Sequence, residues 1–132
     1  MQKINCALIA EDNDITIFLN QEVIKKMNIT QDIRIAKNGK VAITAIEEYA
    51  STHEGKCPEL ILLDLNMPVE DGFEFLDHFN KLELNNKERV KVILLTNATQ
   101  TKLIEKLTCQ CEVELMKKPI TEQKLLDILA LH

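Results

Sequence analysis

A chain of 132 residues, 45% hydrophobic and 28% charged, has the size and composition of one globular domain with its own core. No apolar run approaches the ~20 residues of a membrane span, and Met1-Gln-Lys-Ile-Asn-Cys6 lacks the apolar stretch and cleavage site of a signal peptide, so a cytoplasmic protein is expected. With 16 basic against 21 acidic side chains the net charge is −5, and a doublet such as Lys117-Lys118 is too short to track a phosphate backbone, which argues against nucleic-acid binding.

Apolar runs alternate with helix-period stretches from end to end. Ile4–Ala10 reads as a strand, and Asp14–Met27 as a helix with Ile15, Phe18, Leu19, Val23 and Met27 near one face. Asp32–Ala36 is a short second strand. Lys40–Ala50 is a helix that turns Val41, Ala42, Ala45, Ile46 and Tyr49 inward behind an Asn38 cap. Glu59–Leu65 is a third strand, and Gly72–Leu82 a helix built on Phe75, Leu76, Phe79 and Leu82. Arg89–Thr96 is a fourth strand, and Thr99–Thr108 a helix opened by the capping-box pattern Asn97-Ala-Thr-Gln100. Val113–Met116 is a short fifth strand, and Thr121–Leu131 a last helix on Leu125, Leu126, Ile128 and Leu129. Ser51–Cys57 and Glu83–Glu88 read as polar surface loops. Cys6 acts as a small hydrophobe in its strand. Cys109 and Cys111 have no second pair or nearby His for a zinc site, so reduced thiols are expected. Strand then helix, five times over, predicts an α/β domain with a parallel sheet covered on both faces. With no linker or repeat, residues 1–132 are expected to be one domain with no effector domain.

The run Glu59-Leu-Ile-Leu-Leu-Asp64-Leu-Asn-Met-Pro68-Val-Glu-Asp-Gly72 has the profile of a buried parallel strand that delivers one carboxylate to its C-terminal end. Ligands of open α/β sheets bind at that end. The first strand ends at Glu11-Asp12, the fourth at Thr96 and the fifth in Lys117-Lys118-Pro119. If the strands are parallel, these groups converge with Asp64. Three carboxylates at close range demand a counter-charge. A hard divalent cation such as Mg²⁺ supplies it, and Lys118 neutralises part of the remainder. Such a site suits a phosphoryl group, with the metal and the lysine on its oxygens, a hydrogen bond from Thr96, and a carboxylate free to attack phosphorus.

On these residues the chain resembles the receiver domain of two-component response regulators, including the single-domain chemotaxis type. The motifs are Glu11-Asp12, Asp64 with Asn66-Met67-Pro68 and Asp71-Gly72, Thr96, and Lys118-Pro119, each at its strand end. The resemblance covers essentially the whole chain. It implies a flavodoxin-like doubly wound (βα)5 sandwich with a five-stranded parallel sheet in the order 2-1-3-4-5. It implies Asp64 as phosphoacceptor and Asp12 as a direct Mg²⁺ ligand, with Glu11 reaching the metal through water and Asn66 offering its backbone carbonyl. Thr96 would bond the phosphoryl oxygen and move on activation, and Lys118 would pair with Asp64 or its phosphoryl group. A cis Lys118–Pro119 bond is implied as well. The donor would be a histidine kinase or a histidine phosphotransfer protein. Such a protein is a phosphoacceptor that catalyses transfer only to itself, and its downstream partner would meet the 99–131 face, with weak self-association compatible.

Two positions depart from that pattern. The residue after Thr96, usually small, is Asn97, which is expected to narrow the way to the phosphoacceptor. The residue three before Lys118, aromatic in many receivers, is Leu115, which has no polar tip to expose in one state and hide in the other. The second departure keeps open a different reading, a binding module on the same fold that works without phosphorylation. A phosphatase of the Asp-nucleophile type would need an acid two residues after Asp64, where Asn66 stands.

Overall fold

A computed structural model describes residues 3–65, 67, 69, 71–96 and 112–130. Its five strands are β1 (Ala7–Ala10), β2 (Ile33–Ala36), β3 (Leu60–Asp64), β4 (Lys91–Thr96) and β5 (Glu112–Lys117). They form one parallel sheet in the order β2-β1-β3-β4-β5, the flavodoxin-like doubly wound order. Four helices are described: α1 (Asp14–Met27), α2 (Gly39–Thr52), α3 (Gly72–Lys81) and α4 (Glu122–Ala130). The expected helix at 99–108, its capping pattern at 97–100, and Cys109 and Cys111 lie outside the described residues.

β1, β3 and β4 are buried along their whole length because helices cover both faces of the sheet, which is why they read as unbroken apolar runs. Their side chains nonetheless alternate. Leu8, Ala10, Ile61, Leu63, Val92 and Leu94 pack with Ala42 and Ile46 of α2 and with Phe75, Leu76 and Phe79 of α3. Ala7, Ile9, Leu60, Leu62, Ile93 and Leu95 pack with Ile17 and Ile24 of α1 and Leu125 of α4. Two cores on either side of one sheet hold the strand ends in line.

Local chemistry starts the helices where the site needs them. The Asn13 side chain caps α1 by accepting from Thr16 N at 2.9 Å; as expected, Asn38 caps α2, accepting from Val41 N at 2.9 Å. Asp71 opens α3 with a full capping box, accepting from Phe73 N and Glu74 N while the Glu74 side chain returns to Asp71 N. Gly72 stands in a tight space. A Cβ there would lie 3.1 Å from Leu65 Cα and 3.3 Å from the Asp64 carbonyl oxygen, so α3 can begin hard against the end of β3. Within that connection Val69 is exposed at φ +70°, a left-handed conformation costly for a β-branched residue, by about 1–3 kcal/mol.

Three expectations are corrected. Helix α1 buries Ile17, Asn20 and Ile24, while Ile15, Phe18 and Leu19 are exposed. The short β1–α1 connection and the Asn13 cap fix the helix rotation, so the stripe broken by Asn20 turns inward. Val41 in the first turn of α2 is exposed, and the buried positions there are Gly39, Ala42, Ile46 and Tyr49. The stretch 83–88 is no simple surface loop. Asn86 is buried and brackets Cys57, accepting from its N at 2.8 Å and donating to its carbonyl at 3.0 Å. Lys87 is buried too, with Nζ 3.0 Å from the Asn80 carbonyl and 5.3 Å above the Phe79 ring. A 3₁₀ turn at Lys87–Arg89 follows, so β4 starts at Lys91.

Candidate functional site

Parallel register decides what meets at the C-terminal edge of the sheet. Ala10 pairs with Leu63, which sets the next residue, Glu11, level with Asp64. Asp64 pairs with Leu95, one before Thr96, and Thr96 pairs with Lys117, one before Lys118. Four strand ends therefore bring Glu11, Asp64, Thr96 and Lys118 into one row. Glu11 is 1% exposed, Asp64 4% and Thr96 3%, whereas Asp12 is exposed. Asn66 lies outside the described residues, as does Asn97. The Lys118–Pro119 bond is cis.

Charge is concentrated here. Lys118 Nζ stands 3.3 Å from Glu11 Oε1 and 3.3 Å from Asp64 Oδ1. Glu11 Oε2 accepts from the backbone N–H groups of Asp12 at 3.1 Å and Asn13 at 3.2 Å. Among the described residues no donor hydrogen-bonds the buried Glu11 Oε1, and the nearby Lys118 ammonium is its ion-pair partner. One carboxylate oxygen each from Glu11, Asp12 and Asp64 lies within 4.8 Å of the others. A cleft of about 480 Å³ opens over them, lined also by Asn13, Thr16, Lys118 and Pro119. One ammonium cannot neutralise three carboxylates. The orphaned Glu11 oxygen and an all-oxygen donor set fit a hard divalent cation such as Mg²⁺.

Burial first, then the neighbouring Asp64, pushes the Glu11 carboxyl up from 4.5 to about 7, against the pull of the Asn13 backbone amide and Lys118. A folded-state pKa raised above the unfolded one gives stability that is present below the unfolded pKa and lost as pH rises through the folded one. Without a cation the protein should therefore lose stability between about pH 4.5 and 7, by up to about 3 kcal/mol. Mg²⁺ binds the ionised form, so its rise in melting temperature should be larger near pH 8 than near pH 5.5. Thermal melts with and without Mg²⁺ at the two pH values check this, and equal shifts would contradict it.

The site contains two residues that the sequence reading did not single out, Asn13 and Thr16. Their cap, with the Thr16 hydroxyl also bonded to Asn13 Oδ1 at 3.2 Å, forms the wall of the cleft opposite Lys118. The signal was available as an Asn three residues before a Thr at a helix start. Leu115 packs at the edge of the α2–α3 core, level with Leu94.

The family model for the response regulator receiver domain matches residues 7–130. The response regulator Rcp1 of Synechocystis is 32% identical over 91 residues, covering 69% of this chain and 60% of Rcp1. The crystal structure of a two-component response regulator from Cytophaga hutchinsonii superposes with a TM-score of 0.81 at 27% identity, covering 98% of this chain and 97% of that one. The phosphorylated cyanobacterial phytochrome response regulator RcpA superposes with a TM-score of 0.68 at 25% identity, covering 98% of this chain and 89% of that one. The match spans 60% of the length of Rcp1, one of several curated relatives. Motifs, strand order and family match agree: the chain belongs to the response regulator receiver domains of two-component signalling.

Proposed function

We propose that the chain accepts a phosphoryl group on Asp64 from a phosphohistidine of a histidine kinase or phosphotransfer protein, and signals by phosphorylation-dependent protein contact or onward relay. One observation carries the reading: Asp64 ends a buried strand with the Lys118 ammonium 3.3 Å away and two further carboxylates beside it. Receiver domains are signalling domains rather than classical enzymes, and they typically bind Mg²⁺ at such an acidic site. The similar protein RcpA is phosphorylated.

In this reading an Asp64 carboxylate oxygen attacks phosphorus and the histidine nitrogen leaves. Lys118 stays paired with the phosphoryl oxygens, and the Thr96 hydroxyl donates to one of them. Asp12, Glu11, Asp64 and the Asn66 carbonyl would hold Mg²⁺, which when bound neutralises the crowded oxygens. The exposed Ile15, Phe18 and Leu19 of α1, next to the cleft residues Asn13 and Thr16, offer the donor an apolar seat from which its histidine reaches Asp64. Asn97 slows access of small donors and water. Output to a downstream protein partner runs through the 99–131 part of the chain, of which β5 and α4 are described. No described helix is long and apolar enough to cross a membrane, which accords with a cytoplasmic setting. Leu115 in place of an aromatic residue favours a second reading, a binding module that needs no phosphorylation.

Incubation with Mg²⁺ and acetyl phosphate should add the mass of one phosphoryl group, and chelation of Mg²⁺ or Asp64→Asn should abolish the gain. No gain in the parent, or a full gain in Asp64→Asn, would overturn the proposal.

A further inference from the structure

Helix α4 opens with a residue that helix physics argues against. Thr121 caps it, accepting at Oγ1 from Lys124 N at 3.1 Å and at its carbonyl from Leu125 N at 3.0 Å. The third helical position after such a cap is where Glu or Gln completes a capping box, and where the positive pole of the helix favours an acid. Lys124 occupies it. Its ammonium instead reaches back and donates to the carbonyl oxygens of Lys117 at 3.2 Å and Pro119 at 3.1 Å. Those two carbonyls bracket Lys118. On the sheet side, Lys118 N donates to the Thr96 carbonyl at 2.8 Å. The backbone that carries the site's ammonium is therefore gripped from both sides, by β4 and by the first turn of α4. Charge-assisted bonds to two carbonyls account for a cation where the dipole disfavours one. A broken local rule of this kind is expected near a functional site.

We propose that Lys124 is a positioning residue for Lys118, fixing the Lys117–Pro119 backbone so that the Lys118 ammonium faces Glu11 and Asp64. The same grip couples the first turn of α4 to the site, so a shift of that helix moves the ammonium. The consequence for phosphorylation rests on Asp64 being the phosphoacceptor; the grip itself does not.

The test compares the full chain with Lys124→Met and Lys124→Arg, and repeats Lys124→Met in a Lys118→Ala background. Two quantities are read: the rate at which trace acetic anhydride labels Lys118, and the rate of phosphorylation by acetyl phosphate with Mg²⁺. Lys124→Met should speed the labelling of Lys118 and slow phosphorylation, each by about 3- to 10-fold. Lys124→Arg, which keeps a cation and its donors, should stay within about 2-fold of the parent. In the Lys118→Ala background the Met substitution should change phosphorylation by less than about 2-fold, because the residue it acts through is gone. Unchanged labelling of Lys118, or an equal rate loss in both backgrounds, would overturn the proposal. Faster labelling in a protein that takes up no phosphoryl group at all would refute Asp64 as acceptor and support the grip.

Discussion

Replacing Lys118 by alanine should cut phosphoryl uptake by about 100-fold or more, the usual cost of losing one preorganised charge at a reacting oxygen. The argument is geometric. Lys118 Nζ is 3.3 Å from both Glu11 and Asp64, and these two carboxyls are 1% and 4% exposed. Without the ammonium, charge developing on the phosphoryl oxygens has no cationic partner from the sheet. The buried Glu11 carboxyl also loses the cation that lowers its pKa, so it holds its proton to higher pH and serves Mg²⁺ less well there. Initial rates with acetyl phosphate and Mg²⁺ from about pH 6 to 9, on parent and variant, measure the loss. A loss below about 3-fold at every pH would contradict the assignment of Lys118 to the site.

The largest effect on stability is expected from Phe79→Ala. Phe79 is fully buried in the core between the sheet and helices α2 and α3, its ring centroid 5.9 Å from that of Phe75, and the Lys87 ammonium lies 5.3 Å above it. Truncation removes the ring from that core, leaves a cavity and strips a buried cation of its aromatic partner, at a cost of about 3–5 kcal/mol. Chemical denaturation should show that drop. At low temperature the folded protein should still take up phosphoryl groups at near the parent rate, because Phe79 is the eighth residue of the 10-residue helix α3, two turns from its Asp64 end. A drop below about 1 kcal/mol would mean that α3 packs differently.

The centre of the sheet was legible because β1, β3 and β4 are apolar runs stopped by polar residues, and Glu11, Asp64 and Thr96 stand at those stops. Glu11, Asp64, Thr96 and Lys118 could be read from strand ends alone, since parallel register aligns ends whatever the connections do. Asp71-Gly72 was legible as a turn, although its reason is spatial: Gly72 lets α3 touch Leu65 and the Asp64 carbonyl. The face of α1 was not legible. Two stripes overlap in Asp14–Met27, and the buried one contains the polar Asn20, so hydrophobicity pointed to the exposed stripe. The buried Asn86 and Lys87 were hidden because their partners are remote; Asn86 bonds Cys57, 29 residues away. Lys124 was hidden for a different reason. Its carbonyl partners carry no side-chain signature, so no residue pattern announces the grip on Lys118.

The central claim is that Asp64 itself takes the phosphoryl group. The most direct measurement treats the chain with acetyl phosphate and Mg²⁺, reduces the product with borohydride, and sequences the peptides by mass spectrometry. An aspartyl phosphate is converted to homoserine, so the account predicts homoserine at position 64 alone, and none when Mg²⁺ is chelated. Homoserine at Asp12, or the longer 2-amino-5-hydroxyvaleric acid at Glu11, in place of homoserine at position 64, or a phosphoryl group retained on a hydroxyl side chain, would contradict it.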